Sequence, residues 1–360
     1  MTGFLQGLWL VVTIDLRQRT RTVAWYVLLG VFVLLVLAVT VLLVFATDAL
    51  FAGGGGVFST IVFFVLLLGT LVSPALSANA INGERDSGTL ATTQVTLVST
   101  TQIVLGKWLA AWITALAFLA AAVPFLAFAV ALGEVPAATI VVATLVTAVE
   151  LGVVAAIGVG LSGVLTRPLF SVAVTYLVVA ALSIGTLIAF GLGGAAVQSE
   201  VRATNRSVDW AAVERDGVPP GEEAPCLPSE TYTYPTPRFD YVWGFLAANP
   251  YVVVADAAPG SFDEQGDPND VFGWIATGVR QAQHAPELEI EYDECAAWTP
   301  SGSIAPDDDW ERPQQVYDRS VPSWFVGLGI HLLLAAGALA WAVQRTRTPA
   351  QRLARGSRIA

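Results

Sequence analysis

Glu84-Arg85-Asp86-Ser87-Gly88-Thr89-Leu90, followed by Ile103-Val104-Leu105-Gly106-Lys107, is the most specific pattern among the residues that could do chemistry. A compact amphipathic element there, tethered between two long apolar segments, could transmit a push. In that reading Leu90, Val95, Leu97 and Val98 lie against the protein while the charges face a partner. An ordinary solvated loop is the plain alternative. Gly106-Lys107 is not a phosphate-binding loop, because Trp108 follows the lysine and Thr101 stands five positions before the glycine.

Glu150 interrupts an otherwise uncharged run, and His331 lies in another apolar run. A lone carboxylate at membrane depth is costly and should face a protein interior, water or a partner, and His331 is that partner if the two segments touch. The alternatives are a neutral Glu bonded to Ser or Thr and a His satisfied by backbone. The clusters Asp263-Glu264-Gln265-Gly266-Asp267 and Asp307-Asp308-Asp309 lack EF-hand spacing and read as solvated acidic surface. With two histidines, His284 and His331, and no H-E-x-x-H, a zinc protease site is unsupported. No hydrolytic triad is visible, so neither a catalytic group nor a metal is expected in this chain. Gly158, Gly160 and Gly163 match G-x-G-x-x-G, but inside an apolar run they predict close helix packing, not dinucleotide binding.

These residues sit in a chain that is 55% hydrophobic and 13% charged, with one polar stretch of more than a hundred residues. Runs 23–45, 57–76, 108–132, 169–197 and 323–343 carry no charge, and run 137–165 carries only Glu150. Even about 20 residues of helix span the roughly 30 Å of bilayer hydrocarbon. The expectation is an all-α polytopic membrane protein with six transmembrane helices. A small α+β extracytoplasmic domain lies between the fifth and sixth. Run 23–45 is too long for a signal peptide core and is expected to stay in the mature chain.

Charge orients the spans. Arg17, Arg19, Arg21, Arg85, Lys107, Arg167 and five arginines between 345 and 358 fall on one side, whereas 46–56 and 133–136 contain no Lys or Arg. The positive-inside rule makes the basic side cytoplasmic and puts both termini there, which suits the cell (plasma) membrane. Segment 198–322 holds 23 of the 29 acidic residues and seven basic ones, a net −16, so no basic patch supports a nucleic-acid partner. Cys226 and Cys295 both lie in it, where disulfides persist; pairing is one reading and two unrelated buried thiols the other.

Five regions follow: 1–22, an interfacial helix; 23–197, five spans with the 77–107 cytoplasmic loop; the 198–322 insertion; span 323–343; and the basic tail 344–360. Gly53 to Gly56 predict a flexible turn, Ser99 and Gln102 a capping box, and Pro124 a kink in the third span. The insertion holds 14 of 19 prolines, so only short elements are expected. Candidates are helices near 208–215 and 271–283, an apolar stretch 241–255 interrupted at Asn249-Pro250, and a strand through Leu288, Ile290 and Tyr292.

The Glu84 to Leu90 stretch and Gly106-Lys107, with six spans and a basic segment before the first, resemble the permease subunits of type-2 ATP-binding cassette (ABC) exporters. In that family a Glu-Arg-Glu-x-Gly-Thr-Leu-like stretch lies between spans two and three. Asp86 stands here where the second Glu is usual, Leu97 where Pro is common, and Thr100, Thr101 and Gln102 where charges are frequent. The resemblance implies that 77–107 is a coupling loop, with Glu84, Arg85, Asp86, Gly88, Thr89, Leu90 and Lys107 serving the contact with a separate cytoplasmic ABC ATPase. It implies a second permease copy or a paralogue, membrane lipid as solvent, and ATP and magnesium bound by the partner, with no cofactor in this chain. A non-transporting sensor or scaffold, and an ion-coupled transporter using Glu150, are the competing expectations.

Overall fold

The computed structural model describes residues 2–50, 54–88, 98–133, 135–218, 222–298 and 312–347. Thr89, Leu90, Val95, Leu97, the Asp307–Asp309 run and the tail beyond 347 lie outside the described residues.

The long apolar runs are all helical, because a helix satisfies every interior backbone group without help from solvent. In chain order these helices are α1 (Thr2–Thr20), α2 (Val23–Leu50), α3 (Gly54–Ser77), the short α4 (Asn82–Asp86), α5 (Thr100–Leu132) and α6 (Ala137–Val164). Next comes α7, two helical halves Pro168–Ala180 and Thr186–Ala196 joined by a π turn, Ala181–Gly185. Among the described residues six helices are long and apolar enough to cross a membrane, the last being Trp324–Thr346. α5 starts where its capping box predicts: Ser99 Oγ accepts from the Gln102 N–H, and Gln102 Oε1 accepts from the Ser99 N–H at 2.6 Å.

The expected glycine turn is not a turn. Gly54, Gly55 and Gly56 open α3, and a Cβ on Gly54 would lie 2.6 Å from the Ala129 carbonyl oxygen. Gly54 lets α3 and α5 approach closely; Gly53 lies outside the described residues. The α6 glycines act alike, since a Cβ on Gly160 would lie 2.8 Å from Ala338 backbone and one on Gly163 3.1 Å from Ala342. The C-terminal end of α6 is thereby held against the last helix.

The insertion contains β1 (Gln198–Arg206), α8 (Trp210–Asp216), β2 (Glu230–Pro237), a 3-10 turn Phe239–Tyr241, α9 (Trp243–Ala247), α10 (Pro250–Ala257), α11 (Val271–Gln281), β3 (Glu289–Asp293) and α12 (Pro313–Arg319). The last long helix, Trp324–Thr346, is α13. The strands form one sheet in the order β2-β1-β3. β1 is antiparallel to β2, with Val201 opposite Tyr234, and parallel to β3, with Ala203 opposite Ile290.

The second half of the insertion is not a separate body. Val253, Val254, Ala258 and Phe272 share one buried cluster with Phe58, Ile61 and Val62 of α3. Phe272 makes edge contacts with Phe58 and Phe63 at 6.3 and 5.3 Å. The apolar stretch 241–255 thus dips into the helical bundle, where it buries surface that a small separate domain would leave exposed.

Candidate functional site

Helix α6 supports polar groups at its C-terminal end and at mid-height. At its C-terminal end the unsatisfied carbonyls of a helix terminus need donors. Arg85 supplies them: its guanidinium donates to the carbonyls of Leu165 at 3.1 Å and Gly163 at 3.2 Å, and to Asn82 Oδ1 at 2.8 Å. Ser162 Oγ accepts from the backbone N–H groups of Ile81 and Asn82, both at 3.0 Å. These bonds fasten α4 to the end of α6.

Beside them, Lys107 is 3% exposed and its ammonium lies 2.6 Å from Glu84 Oε1 and 3.7 Å from Asp15 Oδ1. Asp15 is also paired with Arg19 at 3.0 Å. Gln102 donates to the Phe4 carbonyl at 2.8 Å, so α1 is bonded to the start of α5. The sequence expectation turned Glu84, Arg85 and Asp86 toward a partner. In the structure Glu84 neutralises a buried lysine and Arg85 caps a helix, and Asp86, Ser87 and Gly88 form the exposed surface. Gly88 has φ of +75°, a conformation that favours glycine.

At mid-height, Glu150 and His331 meet, 1% and 0% exposed. Nδ1 of the imidazole lies 2.9 Å from each carboxyl oxygen, and Nε2 lies 3.0 Å from the Ala248 carbonyl oxygen. The sequence named both residues; it did not name Ala248. Trp108 and Trp112 of α5 lock the neighbouring turns of α6, donating to the carbonyls of Gly152 and Ala148 at 2.9 and 2.8 Å.

The turn that carries Ala248 holds a further group that the sequence reading passed over. Asn249 is 1% exposed; its amide donates to the Ser183 carbonyl at 2.6 Å and to Thr186 Oγ1 at 2.9 Å, and its Oδ1 accepts from the Tyr251 N–H. Ser183 lies in the π turn of α7, and such turns are frequent at functional sites. The available signal was Asn followed by Pro, which is a helix N-cap with proline at the first position.

Against this turn, α3, α7 and helices α9 to α11 line an open pocket of about 970 Å³, walled by Phe63, Leu67, Tyr176, Ile184, Asn249 and Tyr251 among others. No charged side chain lines it.

The insertion is pinned to the start of α13 by a second buried ion pair. Arg280 Nε donates to Asp256 Oδ1 at 2.7 Å, and the guanidinium stacks 3.7 Å from the Tyr317 ring centroid. Asp256 Oδ2 accepts from the Ser323 N–H, from Ser323 Oγ at 2.9 Å and from the Trp324 N–H at 3.0 Å. Nothing local in the sequence marks this pair, whose members stand 24 residues apart.

Outside the bundle, Cys226 and Cys295 form a disulfide. Arg238 binds Asp240 through two nitrogens, at 2.8 and 2.6 Å, and holds its carboxyl below the usual carboxylate range. Burial pushes the Asp270 carboxyl up, although Gly273 N–H and Ser261 Oγ donate to it. No group of three or more His, Cys, Asp or Glu side chains among the described residues could hold a metal ion. No protein-family model and no curated protein matches the chain.

Proposed function

We propose that the chain is the membrane-spanning permease subunit of an ATP-driven ABC exporter, whose ATP hydrolysis is carried out by a separate cytoplasmic ATPase chain. The basic end, with both termini, faces the cytoplasm of a cell membrane, and the acidic insertion lies outside. A second copy or a paralogue completes the transporter. ATP and magnesium belong to the partner, and this chain supplies no catalytic group.

The observation that supports this reading most is the wiring of α4. The Glu84–Lys107 pair ties it to α5, Asp15 extends the network to α1, and Arg85 with Ser162 ties it to α6. A push on the exposed face at Asp86 to Gly88 would therefore move three long helices together, as a coupling element must. The uncharged cavity beside α3 and α7 is the candidate station for the cargo, and favours an apolar one.

Purification of the tagged chain from its native membrane, with mass spectrometry and an ATP hydrolysis assay, tests the reading. A stoichiometric ATPase that is lost on Asp86→Arg, with the melting temperature unchanged, is the expected result. A clean preparation with no ATPase would sink it.

A further inference from the structure

The hydrogen atoms at Glu150 and His331 can be counted from geometry. The Ala248 carbonyl can only accept, so Nε2 of His331, 3.0 Å away, carries a hydrogen. Nδ1 lies 2.9 Å from both Glu150 oxygens, so one hydrogen sits between imidazole and carboxyl, on one or the other. Either way the pair holds one labile proton and has no net charge, the state that burial favours.

We propose that the Glu150–His331 pair is a reversible proton-binding site, and that loss of its proton releases the 247–250 turn that walls the cavity. Deprotonation to a base in solvent leaves a carboxylate facing an imidazole with one N–H. The carboxylate draws that hydrogen to Nδ1. Nε2 then presents a lone pair to the Ala248 carbonyl, and an attractive contact becomes a repulsive one. The only hydrogen bond from His331 to the turn is lost. The turn's remaining polar anchor is Asn249 on Ser183 and Thr186, at the π turn. Asn249 and Ser183 both line the cavity, so a shift of the turn changes its wall.

No other charge answers for the pair. Of the helices packed against α6 and α13, α3 and α9 carry no titratable side chain. Lys107 on α5 is engaged by Glu84 and Asp15, and Asp256 on α10 by Arg280. Tyr176 on α7 donates to the Leu71 carbonyl, Tyr251 on α10 packs on Phe63, and Arg345 is exposed at the far end of α13. The two groups therefore share one proton as a unit. The proposal does not rest on ATP coupling.

Hydrogen exchange of the full chain in lipid nanodiscs, corrected for the intrinsic pH dependence of amide exchange, tests it. Above the transition the 243–257 segment should exchange about tenfold faster per pH unit, the slope of one released proton, while α11 does not change. Glu150→Gln, whose amide can donate to Nδ1 and keep the hydrogen on Nε2, should abolish the transition. Ring-nitrogen NMR on a chain carrying His284→Gln, which leaves one histidine, should show Nε2 losing its hydrogen at the same pH. Corrected exchange that stays flat from about pH 5 to about pH 10, the same slope in Glu150→Gln, or an Nε2 that stays protonated while the turn opens would each overturn the proposal.

Discussion

Lys107 and Glu84, 23 residues apart, meet at 2.6 Å in a place where the lysine is 3% exposed. A buried ammonium without its carboxylate is an uncompensated charge, and breaking such a pair costs about 3 to 5 kcal/mol. Lys107→Met removes the buried charge and leaves Glu84 partly exposed and Asp15 still paired with Arg19, whereas Glu84→Met leaves the buried ammonium with Asp15 at 3.7 Å as its carboxylate. Thermal melting of the purified chain should rank Glu84→Met as the more damaging. The double variant should lie closer to wild type than the two single losses added together.

Asp256 does two things at once, neutralising Arg280 and capping α13 through three donors. Asp256→Ala should therefore destabilise the chain more than Arg280→Met, which leaves a carboxylate still bonded to Ser323 and Trp324. The first change should cost about 3 to 5 kcal/mol and the second clearly less. Melting curves, with proteolysis near residue 320, would register both. The reverse order would mean that the guanidinium stack on Tyr317 dominates.

The disulfide closes a loop across 69 residues. Replacing both Cys226 and Cys295 by Ser should lower the stability of the sheet region by about 4 kcal/mol in the chain-entropy account. The effect should be local, since α10 and α11 are anchored in the bundle through Phe272 and Arg280. Limited proteolysis should cut near 207–218 and 282–298 first, while α10, α11 and the long helices stay intact.

Two carboxyls of the insertion should give its stability pH dependences of opposite sign. Asp240 is held below its ordinary 3.8 by Arg238, so between the two values the unfolded chain binds more protons. Its contribution is present above pH 3.8 and fades as pH falls through the folded value. Asp270 is pushed above 3.8 by burial, so over its window the folded chain binds more protons and stability falls as pH rises. Arg238→Gln should flatten the acid limb of a stability profile. Asp270→Asn should remove the loss on the alkaline side of 3.8.

Much of the architecture is a local property and was legible in the residues. The six apolar runs, the Ser99–Gln102 capping box and the α6 glycines each act within a few turns of helix or against whatever lies beside them. Two helices of the insertion, α8 and α11, were recognisable for the same reason, to within a few residues, whereas α12 was not foreseen. β1 and β2 were missed: Gln198 to Arg206 is mostly polar, and the Tyr232 and Tyr234 alternation of Glu230 to Pro237 stands among prolines; their pairing comes from register with each other.

The sequence by itself determined that six segments suit lipid, that charge is divided between a basic set of loops and an acidic insertion, and that Glu150 and His331 are anomalous. Only the tertiary structure decided what those groups touch. Glu84 and Arg85 look like surface charges until Lys107 and the end of α6 are brought beside them. The 247–258 stretch looks like part of an outer domain until its apolar residues are found buried against the bundle. The reason is that burial and pairing depend on contacts between segments far apart in the chain, 181 residues at Glu150 and His331, which no local pattern encodes.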